Sequence, residues 1–231
     1  MNIIISVQYE LVVFPLMMST DDNNPVIVFD NILDIETKYE IIFSSEYDRI
    51  HDTIVAIFNN NYTGEVSDGR LMTVKGLYYK LVLKDYDLMK NYYFMGIELN
   101  YAGAMRNLGS YYKHVENDYD LMKKYYLMAI DLNDASSMFN LGVFYDNTEI
   151  DYILMKKYFL MAIELKHTGA MFNFGYYYMN VEKDYDLMKK YYLMAIELKH
   201  TDAMFNLAFY YRNVEKDYDL MKKYYLMAIE L

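Results

Sequence analysis

The string Asp-Tyr-Asp-Leu-Met-Lys begins at Asp85, Asp118, Asp184 and Asp217, and the variant Asp-Tyr-Ile-Leu-Met-Lys begins at Asp151. Five copies therefore follow one another at a spacing of 33 residues, with no slippage. A period of that length restricts the chain to folds in which one supersecondary unit is stacked repeatedly on itself. A second string keeps the same register. Ala104-Met105, Ser137-Met138, Ala170-Met171 and Ala203-Met204 lead to Gly109, Gly142, Gly175 and Ala208, then to Tyr111-Tyr112, Phe144-Tyr145, Tyr177-Tyr178 and Tyr210-Tyr211. The first copy, with Leu71-Met72, Gly76 and Tyr78-Tyr79, is more divergent but aligned.

Each unit reads as two amphipathic helices. In the fourth, Ala170, Met171, Phe174 and Tyr178 fall at helical spacing within 169–179, and Leu187, Met188, Tyr191, Ala195 and Leu198 do so within 184–198. Asn180 to Lys183 is expected to be a short polar connection. Asp184 and Asp186 place carboxylates at the positive end of the second helix, and Thr168 or Thr201 is the expected N-cap of the next first helix. A glycine inside a helix costs about 1 kcal/mol, so its recurrence at Gly109, Gly142 and Gly175 needs a packing reason. Close crossing of helices supplies one, with Ala129, Ala162, Ala195 and Ala228 as the small residues of the second helix. A lone helix pair buries too little apolar surface to stand alone, so the units must share a continuous core.

The segment Ala170 to Tyr178, followed by Asp184 and by Tyr191 to Ile196, resembles the SEL-one-like repeat, a relative of the tetratricopeptide repeat. The resemblance covers residues 69–231. It implies an all-α, right-handed α-solenoid of five antiparallel helix pairs, with the first helices lining a concave groove that holds a protein or peptide. The chain departs from the family where the usual glycine-rich turn is replaced by short polar segments such as 180–183. Its excess of Tyr, Asn, Ile, Met and Lys, and the near identity of its repeats, resemble proteins of large DNA viruses.

Residues 1–68 do not keep the register. They carry twelve acids against Lys38 and Arg49, a balance of −10 out of the chain's net −11, so the repeats are almost neutral. An acidic first third and a repeat region without a basic stripe disfavour nucleic acid. No apolar run approaches the roughly 18 residues that a membrane span needs. With no cysteine, the chain has neither disulfides nor thiolate metal sites, which fits the cytoplasm, or the host cytoplasm if the chain is viral. The stretch from Asn2 to Met18 reads as strand-like or as an upstream extension, with Met17 or Met18 a sensible alternative start. From Ile32 to Phe58 apolar residues recur at helical spacing, so 1–68 is expected to be a divergent, mostly helical N-terminal cap.

Chemistry is diluted by repetition. His167 and His200 are one period apart in the same turn, His51 and His114 have no metal-ligand spacing around them, and phosphate-loop or nucleophile motifs are missing. The chain is expected to be neither an enzyme nor a cofactor or metal protein, and Lys189-Lys190 with its counterparts is expected to be a solvated face. Candidate partner-binding residues lie on the first helices. Taking Ala104 and Leu108 as the buried direction, Arg106, Ser110 and Lys113 point outward, and the equivalent positions make an aromatic stripe of Phe139, Phe172, Tyr176, Phe205 and Phe209. The alternative is that the stripe packs between adjacent first helices. Beside it runs a ladder of Asn107, Asn140, Asn173 and Asn206. The family resemblance implies that such asparagines hold a peptide backbone; a bond to a neighbouring helix is the other reading. Tyr225 and Ile229 on the last second helix are expected to be exposed, which makes a homo-oligomer through that edge a further expectation.

Overall fold

A computed structural model of the chain describes residues 2–7, 10–15, 69–80 and 84–230. Two strands come first, β1 (Asn2–Val7) and β2 (Glu10–Pro15), paired antiparallel with Ile3 opposite Phe14 and Val7 opposite Glu10. Runs of β-branched residues, Ile3-Ile4-Ile5 and Val12-Val13, suit a pleated backbone, in keeping with the strand-like reading. The helices expected between Ile32 and Phe58 lie outside the described residues.

Ten helices follow among the described residues, in five pairs: α1 (Gly69–Tyr78) and α2 (Tyr86–Glu98), α3 (Ala102–Tyr111) and α4 (Tyr119–Ile130), α5 (Ala135–Asn147) and α6 (Tyr152–Glu164), α7 (Thr168–Tyr177) and α8 (Tyr185–Glu197), α9 (Thr201–Tyr210) and α10 (Tyr218–Ile229). The chain divides into two compact units after Met122, within α4. In the first, α1 packs on α2 and both pack on α3. In the second, α5 packs on α6, α7 on α8 and α9 on α10, while α6 meets α7 and α8 meets α9.

The repeated aspartate starts every second helix for a definite reason. The side chains of Asp85, Asp118, Asp151, Asp184 and Asp217 accept from the amides of Leu88, Leu121, Leu154, Leu187 and Leu220 at 2.9–3.0 Å. Each such N-cap is worth about 0.5–2 kcal/mol. The caps of α7 and α9 differ from expectation. They are His167 and His200, whose Nδ1 atoms accept from Ala170 and Ala203, and the threonines are the first helical residues. An imidazole nitrogen carrying a lone pair does the job of a carboxylate here.

The connection between helices also differs from the expected polar loop. Tyr112–Glu116, Tyr178–Glu182 and Tyr211–Glu215 continue the first helix as one π-helical turn. A left-handed residue then ends it: Asn117, Lys183 and Lys216 have φ of 55, 58 and 59°, with Lys84 and Ile150 at the same register. The following aspartate amide reaches back six residues, as from Asp118 to the carbonyl of Tyr112 at 2.9 Å and from Asp217 to that of Tyr211 at 3.0 Å. This 7→1 closure, one residue longer than the 6→1 bond of a glycine-ended helix, satisfies a last-turn carbonyl without glycine.

The core is aromatic and repeats with the sequence. Phe174 of α7 lies 4.6 Å from Tyr191 and 4.8 Å from Tyr178, ring centre to centre, and Tyr178 stacks on Tyr191. The glycines hold these rings. A Cβ on Gly142 would lie 2.4 Å from the Phe159 ring, and one on Gly175 would lie 2.6 Å from the Tyr192 ring. The close approach is thus between a second-helix ring and the first-helix backbone.

Candidate functional site

The candidate face is carried by α5, α7 and α9, whose buried sides are occupied by Met138 and Leu141, Met171 and Phe174, and Met204 and Leu207. A side chain two places beyond the buried Phe174 or Leu207 must point away from the core. Tyr176 and Phe209 occupy those places, and each is 52% exposed. Phe205, one turn earlier on α9, is also exposed and lies 5.9 Å from the Tyr225 ring.

Phe139 and Phe172 are only half-buried members of the stripe. Phe139 stacks on His167 at 4.7 Å, and Phe172 stacks on His200 at 4.9 Å and on Tyr192 at 5.8 Å. Each joins its own helix to the cap of the next first helix. The stripe therefore divides along its length. One turn packs between repeats, and the next, at Val143, Tyr176 and Phe209, faces out or partly out. Arg106, expected to point outward, is instead buried.

The asparagines are half-buried at all four places. Asn206 donates through Nδ2 to the Tyr192 hydroxyl at 3.4 Å, a bond between neighbouring pairs of helices. Burial pushes that hydroxyl up to about 12, with the Asn206 bond acting the other way. The corresponding ring beside Asn173 is Phe159, which offers no hydroxyl. In the first unit the same two positions are Tyr93 and Asn107, whose hydroxyl and Nδ2 are buried with no hydrogen-bond partner among the described residues. A second pair of amides braces the face: Asn180 and Asn213 donate to the carbonyls of Tyr176 and Phe209 at 3.0 and 2.9 Å.

A ladder that the sequence reading placed in solvent lies elsewhere in the repeats. Lys90, Lys123, Lys156 and Lys189 bond Glu116, Glu149, Glu182 and Glu215, each pair 26 residues apart, at 3.4 Å in the first and 3.0 Å in the last. Tyr111, Tyr177 and Tyr210 donate to the same glutamates at 2.7–2.9 Å. The bonds from Lys156 and Tyr177 hold the Glu182 carboxyl below the usual range, and those from Lys189 and Tyr210 do the same for Glu215. Recurrence of both a lysine and a glutamate at the 33-residue period was the available signal; the offset between them becomes meaningful only once the helices are placed.

Tyr225 is half-buried, whereas Ile229 is 73% exposed. Ile130, Ile163 and Ile196, at the same register, are buried.

Ten helices in repeating pairs, with an aspartate cap at the start of each second helix and aromatic rings buried within each unit, define a helical-repeat protein. The fold is that of Sel1-like repeat proteins. A Sel1 repeat protein from Oxalobacter formigenes is similar over 79% of this chain and 81% of its own, with a TM-score of 0.65 at 20% identity. Two immunity proteins from Pseudomonas aeruginosa have TM-scores of 0.52 and 0.55 at 21% and 17% identity. They cover 74% and 84% of this chain, and 67% and 85% of their own. No protein-family model matches the sequence, and no curated protein matches it. Among the described residues, no helix is long and apolar enough to cross a membrane. The likeness to repeats of large DNA viruses rests on the sequence alone.

Proposed function

We propose that the chain is a non-enzymatic scaffold of the cytoplasm, holding a partner protein or peptide on the first-helix face of its repeats. The observation that carries the reading is the half exposure of Tyr176 and Phe209 at one register, with Phe205 exposed one turn earlier, on helices whose opposite sides bury Met171 and Phe174 or Met204 and Leu207. Aromatic side chains supply large contact area at low entropic cost, which is why they anchor interfaces. Asn140, Asn173 and Asn206 run beside them, and an amide both donates and accepts.

Affinity purification from the native source, read by mass spectrometry, tests this with the full chain and a Tyr176→Ala/Phe209→Ala variant. A protein recovered with the first and lost with the second is the expected result. Identical recoveries would remove the face from the account. A second reading, an architectural protein that associates with itself through Tyr225 and Ile229, is favoured by the contrast between exposed Ile229 and its buried counterparts. Sedimentation at tens of micromolar, roughly the range where weak association shows, separates the two, since a strict monomer would eliminate the second.

A further inference from the structure

The first unit gathers positive charge where the second carries none. In the second unit the Tyr192 hydroxyl accepts from Asn206 at 3.4 Å and donates to the Met179 sulfur at 3.9 Å, so three positions of the repeat meet at one hydroxyl. Three periods earlier those positions are Lys80, Tyr93 and Asn107. Lys80 stands in the turn that continues α1, Tyr93 on α2 and Asn107 on α3, and these helices pack on one another. The bonds of the second unit are not repeated there. The Tyr93 hydroxyl and the Asn107 Nδ2 are buried donors without an acceptor among the described residues.

Cations stand around them. Lys113 and His114 follow Asn107 by about two helical turns and so lie over its side of α3. Lys80 and Lys113 are half-buried, and His114 is exposed. Burial holds both ammonium groups below the ordinary lysine value, with Lys84 adding to the effect at Lys80. Burial, then the charges of Lys113 and Lys80, holds the His114 imidazole below its ordinary value, which places the two lysines in one neighbourhood. Glu116, the carboxylate of that turn, is taken by Tyr111 and Lys90. Among the described residues no carboxylate pairs with Lys80, Lys113 or His114.

Two partly desolvated charges of one sign are costly unless an opposite charge joins them, and water, which brings none, answers only the two uncharged donors. An oxyanion answers all four groups. A carboxylate offers a single charge and leaves one lysine unmatched. A phosphate monoester carries about −1.5 to −2 and three acceptor oxygens, which matches two lysines and leaves an oxygen for the hydroxyl and the amide. His114, neutral near pH 7 with its value lowered, adds a donor without adding charge.

We infer that Lys80, Tyr93, Asn107 and Lys113 form a binding site for a phosphate monoester, with His114 at its mouth. The site is separate from the Tyr176 and Phe209 face.

Calorimetric titration of the full chain in phosphate-free buffer near neutral pH tests this, with phenyl phosphate, a short phosphoserine peptide, its unphosphorylated form and acetate as probes. The expected result is a Kd of roughly 1 mM or below for both phosphates, with acetate and the plain peptide at least tenfold weaker. Lys113→Gln should weaken phosphate binding at least tenfold. Tyr93→Phe should weaken it about tenfold without lowering the melting temperature, because it removes a buried hydroxyl that has no acceptor. A tyrosine with a purely structural role would move the melt and not the affinity. A peptide bound at least tenfold tighter than phenyl phosphate assigns the site to a phosphorylated segment of a partner, and equal affinities assign it to a free phosphate ester. Acetate bound as tightly as phenyl phosphate overturns the inference. So does an absence of phosphate binding at roughly 10 mM, or an affinity unchanged in Lys113→Gln and Tyr93→Phe; each of these leaves the proposed function standing.

Discussion

The fourth and fifth helix pairs share most of their sequence and differ in what surrounds them. Tyr192 on α8 is fully buried, and Tyr225, at the same place on α10, is not. Ile196 is 8% exposed and Ile229 is 73% exposed. The second helix of a pair therefore owes its burial to the next first helix, as the bond from Asn206 of α9 to Tyr192 of α8 shows directly. The small residue beneath the ring tracks this difference. Gly175 lies under the tightly held Tyr192, where a methyl group would collide, whereas the fifth pair carries Ala208 at the same register. One motif thus yields a rigid interior interface or a partly open one according to its neighbour.

The largest expected effect comes from the two rings themselves. Tyr192→Ala should lower stability by about 3–5 kcal/mol, the usual cost of emptying a large aromatic site, and Tyr225→Ala by about 1 kcal/mol, because its site can relax. Urea unfolding of each variant measures both, and equal losses would break the comparison. Next, Gly175→Ala should cost about 1–3 kcal/mol through collision with the Tyr192 ring, whereas Ala208→Gly should cost about 1 kcal/mol through helix propensity alone.

Alkaline pH gives a smaller effect with a fixed sign. Burial raises the hydroxyls of Tyr177, Tyr192 and Tyr210 to about 12, from an ordinary value of 10.0. The unfolded chain releases these protons first, so their contribution is complete below pH 10 and is lost as the pH rises through about 12. Melting temperatures measured across that window should fall, and Tyr192→Phe should flatten the decline. A rise in stability over the same range would contradict the assigned burial. Smaller still, Ile150→Gly should raise stability by about 1 kcal/mol, since a β-branched residue is held there at φ 53°. Glu215→Gln should cost no more than about 1 kcal/mol, because the Lys189 pair is partly in water. Thermal melts of both variants decide these two.

Much of this fold was legible because repetition multiplied each signal. One Asp-Tyr-Asp-Leu-Met-Lys is a weak helix start; five in register, each with its aspartate on the amide three residues on, leave little freedom. The turns were less legible. Lysine and isoleucine carry no left-handed preference that would announce Lys183 or Ile150, and tertiary packing imposed what propensity did not. The imidazole caps were hidden because histidine is seldom an acceptor at a helix start. On the face itself, period and helical angle correctly separated buried from outward positions at Tyr176 and Phe209. They could not tell that Phe139 and Phe172 meet His167 and His200, because those contacts cross from one pair to the next.

Hydrogen exchange on the full chain, resolved to single helices, tests most directly whether burial is supplied by the neighbouring pair. Amides of α8 should exchange much more slowly than those at the same positions of α10, despite near identity of sequence. Equal protection of the two helices would contradict the account.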